Sequence, residues 1–594
     1  MKLAKYLKPY LFFAIISPLL MIGEVAADLS LPKLMSYIVD FGIADGGLEE
    51  ITKSEFPYKI ITTLFGSDYT QMNIIITFGV LMLLIVLVGG FFGTMCAYTA
   101  AKASQGFGHD LRCDAYRKVM SLSIEQTDKF TTGSLVTRIT NDIQQVQMFM
   151  NFLLRMFVRS PMFFAGGIIM MLGLNLSFAT VVAISLPIML IGVVLIVIKT
   201  NPMFKVVQEK LDKLNSVVME NVTGARVVKA YVREEHETKR FGNANDDLCS
   251  TNLRVHFILA LKNPIIMIVM NISVIAIIYI GGLQVEAQAM KVGDVMAAVN
   301  YVTQILFSVM MITMMFQMIS RASASAGRIS EVLDTAPVIK GGDKELCGDI
   351  TEIEFRNVSF KYPGTSGNDI LSDVDLKLRK GETVAILGST GSGKTTLVSL
   401  IARYYDVCSG EILINGVNVK EYSLSSLRKK IGYVLQKSEL FSGTIEENIK
   451  WGDETAELDE VKKCAKIAQA DDFISGFNEG YSTVIGEKGA SLSGGQKQRI
   501  SIARSIMKKP EVLIFDDSTS ALDLGTESRL HAALRENLSE TTVIMIAQRI
   551  ASVRNCDRIF VLDGGRIVGS GTHEELLSGN EVYIDIYNSQ LSKE

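Results

Sequence analysis

The chain has 594 residues, which is too many for one ordinary domain, and 48% of them are hydrophobic. Its positive mean hydropathy of +0.29 is unusual for a protein that lies wholly in water, so membrane-spanning segments are expected. The formal net charge of −4 provides no broad attraction to nucleic acid, and no nucleic-acid partner is expected. The seven cysteines form no CxxC pair and no metal-ligand spacing, which favours reduced thiols over a disulfide framework or a zinc site.

The apolar residues are concentrated in the first half of the chain, in runs that can cross a bilayer, for which about 20 residues are needed. Six spans are predicted, near residues 10–41, 73–101, 157–174, 178–198, 257–282 and 292–319. Only three residues separate the third span from the fourth, so these two form a tight helical hairpin. In the polar stretches 102–155 and 199–254, apolar residues recur every three or four positions, which predicts that the membrane helices extend well beyond the bilayer.

The distribution of lysine and arginine predicts which loops lie inside the cell. Both long polar stretches are rich in Lys and Arg, whereas the loop 44–71 has only Lys53 and Lys59 and the turn after Gly282 has only Lys291. By the positive-inside rule the long loops are cytoplasmic. The amino terminus, with Lys2, Lys5 and Lys8, is predicted to be cytoplasmic too. Six spans then return the second half of the chain to the cytoplasm, as expected for a multi-pass protein of the cytoplasmic (inner) membrane.

The first apolar run also imitates a secretory signal, with lysines before it and Val25-Ala26-Ala27 after it. However, Glu24 interrupts the cleavage region, and the apolar pattern resumes and continues to Phe41. A first transmembrane helix is therefore the better interpretation.

Alternating strands and helices replace the apolar runs after residue 330, which predicts a membrane domain at 1–330 and an α/β domain at 331–594. Polar turn signals at 335–342 mark the boundary. A strand is predicted at 353–358, and a buried strand at 383–387 runs directly into Gly388-Ser-Thr-Gly-Ser-Gly-Lys-Thr395, ahead of a helix predicted at 396–404. This match to GxxxxGK[ST], between a strand and a helix, predicts a phosphate loop.

The chemistry of this loop predicts ATP and Mg²⁺ as ligands, and disfavours a glycine-rich turn without a ligand. Its glycines let backbone N–H groups point at phosphates, and Lys394 reaches the outer phosphates. The Thr395 hydroxyl and Asp516, which ends the apolar run from Val512, are the expected magnesium ligands. The loop residues expected to contact nucleotide are Gly388, Ser389, Thr390, Gly391, Ser392, Gly393, Lys394, Thr395 and Thr396.

Further motifs carry a family resemblance. Leu492-Ser-Gly-Gly-Gln-Lys-Gln-Arg499, between the phosphate loop and Asp516, resembles the signature sequence of ABC transporters. Tyr362, Gln436 and Asp523 stand at other positions that are typical of the family, and the cytoplasmic loops resemble those of exporters at Asp128-Lys-Phe-Thr-Thr-Gly-Ser134 and Gly224-Ala-Arg-Val-Val-Lys-Ala-Tyr231. The whole chain thus resembles a multidrug-type exporter half-transporter, in which a bundle of six transmembrane helices is fused to an α/β, RecA-like ABC nucleotide-binding domain.

The resemblance implies that two nucleotide domains close head to tail around two ATP molecules, each bound by one chain's phosphate loop and the other chain's signature. The signature residues Ser493, Gly494, Gly495 and Gln496 would contact ATP that the partner holds. Tyr362 would stack on adenine, and Gln436 would join the magnesium ligands. Closure of the nucleotide domains would act on the membrane helices through the turns near Phe130 and Asn221.

Two residues depart from the family pattern. Asp517 stands where a catalytic glutamate is expected, and Gln548 stands where a histidine is expected. Aspartate is one methylene shorter, and glutamine cannot become protonated near neutral pH, so both changes weaken hydrolysis without removing nucleotide binding. Asp517, Gln548 and Gln436 are the catalytic candidates of a slow site. The expected partner is a paralogous half-transporter that carries the glutamate and the histidine, although Asp517 can still be a slow base.

The sequence points to a substrate less directly. Glu24 and Asp28 are four residues apart, on one face of the first span, where charge is costly enough to suggest a function. One interpretation is that the two carboxylates attract cationic drugs. The other is that they are hydrated in a cavity or paired with a charge such as Lys262. Methionines of the last span suit an adaptable pocket, although lipid contact or ordinary packing explains most of them (Met296, Met310, Met311, Met314, Met315 and Met318).

Export of small hydrophobic or amphipathic compounds, drugs or lipids, across the bilayer is therefore the expected function. An ATP-sensing regulatory subunit with little transport of its own, and a homodimeric exporter with a slow ATPase, are the alternatives. An importer fits the fused domains poorly.

Overall fold

The computed structural model describes residues 2–43, 56–65, 70–365 and 367–591, so the predicted outer loop 44–71 lies mostly outside the described residues. Contacts within the chain divide it into two compact units. The first comprises Met1–Val119 and Gly133–Asp334, and the second comprises Met120–Thr132 and Thr335–Glu594. The segment Met120–Thr132 lies between two membrane helices in the sequence but belongs to the second unit.

The first unit is helical. Among the described residues, six helical segments are long and apolar enough to cross a membrane, which agrees with the predicted number: Leu3–Ile43, Gln71–Ser121, Thr132–Leu174, Leu176–Thr223, Glu234–Glu286 and Val292–Ile312. The α-helices are α1 (Leu11–Tyr37), α2 (Phe56–Phe65), α3 (Gln71–Ser121), α4 (Ile124–Phe130, in the second unit), α5 (Thr132–Thr137), α6 (Ile143–Leu174), α7 (Leu176–Thr223), α8 (Ala225–Ala230), α9 (Glu234–Ala260), α10 (Lys262–Glu286) and α11 (Val292–Asp334).

The longest helices exceed the thickness of a bilayer. At 1.5 Å per residue, α3 with its 51 residues is about 75 Å long, against about 30 Å of hydrocarbon. The polar stretches are thus helical extensions, as their periodicity predicts. The hairpin between α6 and α7 turns at Asn175, whose side-chain oxygen accepts a hydrogen bond from Ser177 N at 2.8 Å and caps α7.

The second unit is built on sheets. Its strands are β1 (Glu352–Phe360), β2 (Leu371–Arg379), β3 (Thr383–Gly388), β4 (Ser409–Ile414), β5 (Val417–Asn418), β6 (Ile431–Val434), β7 (Gly443–Thr444), β8 (Val484–Ile485), β9 (Val512–Asp516), β10 (Thr542–Ile546), β11 (Arg558–Asp563) and β12 (Arg566–Gly571). A six-stranded sheet has the order β12-β11-β3-β10-β9-β6, parallel except for β12, and a four-stranded antiparallel sheet has the order β2-β1-β4-β5. Strands β7 and β8 form a small pair.

The remaining helices of this unit follow in chain order: α12 (Lys394–Ile401), α13 (Leu424–Lys430), α14 (Ile445–Lys450), α15 (Leu458–Ile467), α16 (Asp471–Ser475), α17 (Gly494–Met507), α18 (Leu524–Asn537), α19 (Ile550–Val553), α20 (His573–Gly579) and α21 (Glu581–Leu591). The helix predicted at 396–404 begins two residues earlier, at Lys394, because Gly393 takes the left-handed φ of 100° that ends the loop. It ends at Ile401, ahead of Arg403, whose φ is 50°.

Both faces of the parallel sheet are buried, which explains why its strands are continuous apolar runs. Along β3, Ala385 and Leu387 pack into the core with the helical layer, whereas Val384 and Ile386 pack into the core shared with the antiparallel sheet. Because parallel strands end at one edge, this sheet delivers the loops after β3, β10, β9 and β6 to the same place.

The segment Met120–Thr132 is held to the second unit by Gln126. Its Nε2 donates to Ala336 O at 2.6 Å, and its Oε1 accepts from Ser123 N at 3.1 Å in a capping box at the start of α4. The predicted turn near Phe130 is a break between α4 and α5 at Thr131, whose φ is 60°.

Candidate functional site

The phosphate loop (388–396) joins β3 to α12. Gly391 and Gly393 adopt left-handed φ angles of 85° and 100°, which favour glycine. At Gly388 an added Cβ would lie 2.1 Å from Leu562 O, so this position has no room for a side chain. The Ser392 hydroxyl is buried and has no hydrogen-bond partner among the described residues. A loop of this shape, with an orphaned buried hydroxyl, fits a phosphate ligand.

Lys394 is 8% exposed and folds back over the loop. Its Nζ donates hydrogen bonds to Gly388 O at 2.9 Å and Ser389 O at 2.7 Å. Burial lowers the pKa of Lys394, while Asp517 and Asp516 oppose that shift. The loop therefore holds a desolvated ammonium group at the place where nucleotide phosphates bind in such folds.

Thr395 and Asp516 meet as predicted for a magnesium pair. Thr395 Oγ1 donates to Asp516 Oδ1 at 2.6 Å, and the hydroxyl of Tyr433 donates to Asp516 Oδ2 at 3.2 Å. Burial raises the pKa of Asp516, and these two hydrogen bonds oppose the shift. A hydroxyl and a carboxylate are the hard oxygen donors that Mg²⁺ requires, so the residues fit the ion. When bound, the ion would neutralise charge on the outer phosphates.

Sequence reasoning missed Tyr433. It lies on β6, whose residue Tyr433 pairs with Ile514 of β9, two positions before Asp516. Nothing in the local sequence marks this hydroxyl as a partner of Asp516, since the contact depends on the register between two distant strands.

Asp517 accepts hydrogen bonds from the two glutamines that are catalytic candidates, Gln436 and Gln548. Gln436 Nε2 donates to Asp517 Oδ2 at 3.2 Å, and Gln548 Nε2 donates to the same oxygen at 3.0 Å. Burial raises the pKa of Asp517, against these hydrogen bonds and the charge of Lys394. Asp517 also has a φ of 48°, in the left-handed region that favours glycine. Gln436, expected at the magnesium, thus directs its amide nitrogen to the neighbouring carboxylate.

On the other side of the loop, Tyr362 belongs to an aromatic cluster. Its ring contacts Phe360 and Tyr405 edge-on, with centroids 5.1 Å apart in each pair. Its hydroxyl lies 3.1 Å from Thr396 Oγ1, which ties the aromatic group to the phosphate loop. The side chain expected to stack on adenine is therefore fixed beside that loop.

The signature segment (492–499) begins α17. Ser493 caps this 14-residue helix, and its backbone N–H donates to Gln496 Oε1 at 2.9 Å in a reciprocal capping box. Ser493 and Gly494 are exposed, and an added Cβ at Gly495 would lie 3.2 Å from Ala521 O. Within the described part of the chain, no hydrogen bond joins these residues to the phosphate loop.

The first unit contains an ionic cluster between two of the helical segments that can cross a membrane. Arg159 on α6 donates to Glu24 Oε1 at 2.6 Å and to Asp28 Oδ2 at 3.4 Å, and its guanidinium lies 5.4 Å from the ring centre of Phe163. The two carboxylates on one face of α1 are therefore paired, and their partner is Arg159 rather than the suggested Lys262.

A helical unit with six apolar spans, continuous in the chain with a phosphate-binding α/β unit, defines an ATP-dependent membrane transporter. Two family matches agree with this class: the ABC transporter transmembrane region family at residues 14–310 and the ABC transporter family at residues 371–520.

Similar proteins cover the whole chain. The uncharacterized ABC transporter ATP-binding protein YfiB of Bacillus subtilis is 37% identical over 598 residues, with 100% of this chain and 99% of that protein aligned. The ATP-dependent lipid A-core flippase of Syntrophus aciditrophicus is 34% identical over 515 residues, which cover 86% of this chain and 85% of the flippase. An ATP-bound structure of a bacterial Atm1-family ABC exporter superposes with a TM-score of 0.77 at 25% identity and covers 98% of both chains.

The chain belongs to the ABC transporter family, as an exporter half-transporter with a transmembrane domain and an ATP-binding domain. It is a multi-pass membrane protein, and its ATPase domain is of the kind that is coupled to transport.

Proposed function

We propose that this chain is one subunit of a heterodimeric exporter of hydrophobic or amphipathic compounds, and that its own ATP site hydrolyses weakly. The membrane domain, residues 1–330, would lie in the cytoplasmic (inner) membrane. The nucleotide-binding domain, residues 331–594, would lie in the cytoplasm and bind Mg²⁺ with ATP.

The observation that carries this proposal is the environment of Asp517. Two amides, from Gln436 and Gln548, donate to one oxygen of its carboxylate at 3.2 and 3.0 Å. These two hydrogen bonds oppose the rise that burial causes in the pKa of Asp517, and they occupy the oxygen that would otherwise accept a proton from an attacking water. An aspartate is also one methylene shorter than glutamate, and an error of about 1 Å in the position of a reacting group can cost about a hundredfold in rate.

Gln548 adds a second deficit. Its amide can donate a hydrogen bond, but it cannot become a cation near neutral pH, as a histidine can. The charge that develops on the outer phosphate would then be countered by Lys394, by magnesium and by backbone N–H groups, without a cationic side chain at position 548. The residues proposed to bind magnesium, Thr395 and Asp516, are therefore in place. The residues proposed for hydrolysis, Asp517 and Gln548, are weakened.

The intact signature segment supports a stronger site on a partner chain. Ser493 and Gly494 are exposed at the start of α17, where backbone N–H groups favour an anionic ligand. They would close on ATP held by the partner's phosphate loop. The partner we propose is a paralogous half-transporter with glutamate and histidine at the positions that correspond to Asp517 and Gln548.

Amphipathic substrates, drug-like molecules or lipids, suit the membrane domain best. Arg159 takes up the charges of Glu24 and Asp28, which leaves these carboxylates less available to attract a cationic drug. The similarity to a lipid A-core flippase supports a lipid-like substrate. The ionic cluster places charged groups among apolar helices. A substrate with a polar head and an apolar tail would match this combination.

Co-purification from the native host tests the heterodimer. The tagged full chain would be extracted in mild detergent, and its stoichiometric partner identified by mass spectrometry. We expect a second half-transporter with glutamate and histidine at the two matching positions, and we expect the complex to hydrolyse ATP much faster than this chain alone. A self-associated chain with the ATPase rate of an ordinary exporter would contradict the proposal.

Transport itself separates an exporter from an ATP-sensing subunit. The purified complex in inside-out vesicles would be assayed for ATP-dependent uptake of an amphipathic fluorescent dye and for flipping of a fluorescent phospholipid. We expect at least one activity, abolished by Lys394→Ala together with the matching change in the partner. ATP binding without transport of either probe would favour the regulatory alternative.

A further inference from the structure

The last described helix, α21, ends against the segment that carries Gln548. Gln590 Nε2 donates to Gln548 O at 2.7 Å, and Ile550 N donates to Gln590 Oε1 at 2.9 Å. One side-chain amide therefore binds two backbone groups that flank Arg549. None of the motifs in the sequence points to this contact, because 40 residues separate Ile550 from Gln590.

The contact supplies a hydrogen bond that the short helix α19 otherwise lacks. The first N–H groups of a helix have no acceptor within the helix and need a cap. Here the N-cap residue is Arg549, whose side chain makes no capping hydrogen bond. Gln590 Oε1 accepts from Ile550 N in its place, so a residue of α21 performs the role of a missing cap at the start of α19.

The helix that presents Gln590 is firmly attached at its other end. Tyr583 is fully buried and its hydroxyl lies 2.6 Å from His573 Nδ1, while Asn580 Nδ2 donates to Val568 O at 3.0 Å. Gln590 follows Tyr583 by seven residues, about two helical turns, so both side chains project from nearly the same face of α21. The amide is thus held by a fixed support on β12 and α20.

Fixing the backbone of Gln548 also fixes its side chain, whose Nε2 donates to Asp517 Oδ2 at 3.0 Å. We propose that Gln590 is a positioning residue, which holds the Gln548 segment (547–550) against Asp517 and places the hydrolytic geometry of this site under the control of helix α21. Because these hydrogen bonds all lie within this chain, the inference does not depend on whether the second nucleotide domain comes from a paralogue or from another copy of this chain.

Hydrogen exchange tests the contact directly in the purified full chain. In Gln590→Ala, the Ile550 amide loses its acceptor, and we expect exchange in a peptide covering 546–554 to become about tenfold faster. Asn588→Ala, which removes an exposed amide from the same helix, is the matched control and should leave that peptide unchanged. Equal exchange in wild type and Gln590→Ala would overturn the proposal.

Gln590→Glu provides a signature that simple destabilisation would not produce. Its carboxylate can accept from Ile550 N but cannot donate to Gln548 O, whereas the protonated acid can do both. After correction for intrinsic exchange, the 546–554 peptide should exchange at a rate between those of wild type and Gln590→Ala at about pH 8, because only the donor to Gln548 O is lost, and it should approach wild type near the pKa of an ordinary glutamate, about 4.3. If the ratio of exchange rates between Gln590→Glu and wild type did not change with pH, the assignment of Gln590 as a positioning residue would be contradicted.

Catalysis gives the second readout. Single-turnover ATP cleavage by Gln590→Ala should slow about tenfold, since the Gln548–Asp517 geometry is loosened, while ATP affinity stays within about twofold because the phosphate loop is untouched. A parallel loss of affinity and rate would indicate a general structural role and overturn the assignment as a positioning residue.

Discussion

The pair proposed for magnesium, Thr395 and Asp516, and the pair proposed for hydrolysis, Asp517 and Gln548, lie near the carboxyl ends of strands of one parallel sheet but differ in their support. Asp516 is the buried last residue of β9 and is hydrogen bonded by Thr395 and Tyr433. Asp517 lies one residue beyond the strand, in a left-handed backbone conformation, and Gln548 is exposed. Of the two residues proposed for magnesium, Asp516 is therefore built into the sheet, whereas both residues proposed for hydrolysis lie on loops beyond its strands.

This difference explains how one function can weaken while the other is retained. Replacing a buried ligand such as Asp516 would leave Thr395 and Tyr433 without their acceptor, at a cost to folding as well as to binding. Replacing a loop residue such as the half-buried Asp517 or the exposed Gln548 costs the fold less. The substitutions at Asp517 and Gln548 are thus compatible with full ATP binding, and the following experiments test that separation.

The largest effect is expected from Ser493→Ala in the complex with the partner. The proposal places Ser493 on the ATP of the faster site, and loss of one preorganised donor to a transition-state charge typically costs about 10²- to 10³-fold in rate. Ser493→Thr keeps both a hydroxyl and a helix cap and is the matched control. Steady-state ATPase measurements suffice, and a Ser493→Ala complex with near-normal turnover would place the working site elsewhere.

Asp516→Asn should abolish magnesium-dependent ATP binding at this chain's own site, because the variant exchanges a carboxylate for a neutral amide at the ion. Tyr433→Phe, which removes only the hydrogen bond to Asp516, should weaken Mg²⁺ affinity by about tenfold, the lower end of the range for groups that orient a metal ligand. Mn²⁺ binding followed by electron paramagnetic resonance, with ATP present, measures both. Unchanged Mn²⁺ binding in Asp516→Asn would contradict the magnesium assignment.

Asp517→Glu combined with Gln548→His should raise ATP hydrolysis at this chain's own site by about tenfold or more, because it restores the longer base and a protonatable switch. The measurement is single-turnover cleavage by the purified chain. Each single variant serves as a control, and we expect the double variant to exceed the sum of the two gains, since both groups act on one phosphate. No gain in the double variant would show that these positions do not limit hydrolysis.

Much of this arrangement could be predicted from short sequence patterns. The six spans follow from long apolar runs, and the phosphate loop from glycine and lysine spacing between a strand and a helix, because these signals depend on neighbouring residues only. Lys394, Thr395 and Asp516 come together as expected, since the loops after parallel strands meet at one edge of the sheet.

Contacts made by tertiary pairing could not be predicted. The hydroxyl of Tyr433 reaches Asp516 only through the register of β6 on β9. Arg159 lies on the third span, and no local pattern assigns it to Glu24 and Asp28. Gln590 is an ordinary glutamine until α21 carries it to Gln548. In each case the chemistry depends on a partner more than 40 residues away.

The smallest effect is expected for Asp517→Asn in the complex with the partner, and it is the sharpest test of unequal sites. Total ATP turnover should stay within about twofold of wild type, because most of the hydrolysis takes place at the partner's ATP site. Replacing the partner's glutamate with glutamine should abolish turnover. Burial raises the pKa of Asp517, so any hydrolysis at this chain's own site should rise with pH through a value above that of an ordinary aspartate. Asp517→Asn should remove this rise of hydrolysis with pH. Asp517→Asn should also preserve thermal stability at neutral pH. A carboxyl group with a raised pKa loses its contribution to folding stability when it ionises, whereas the amide does not ionise. A large fall in total turnover would show that Asp517 works as a full catalytic base.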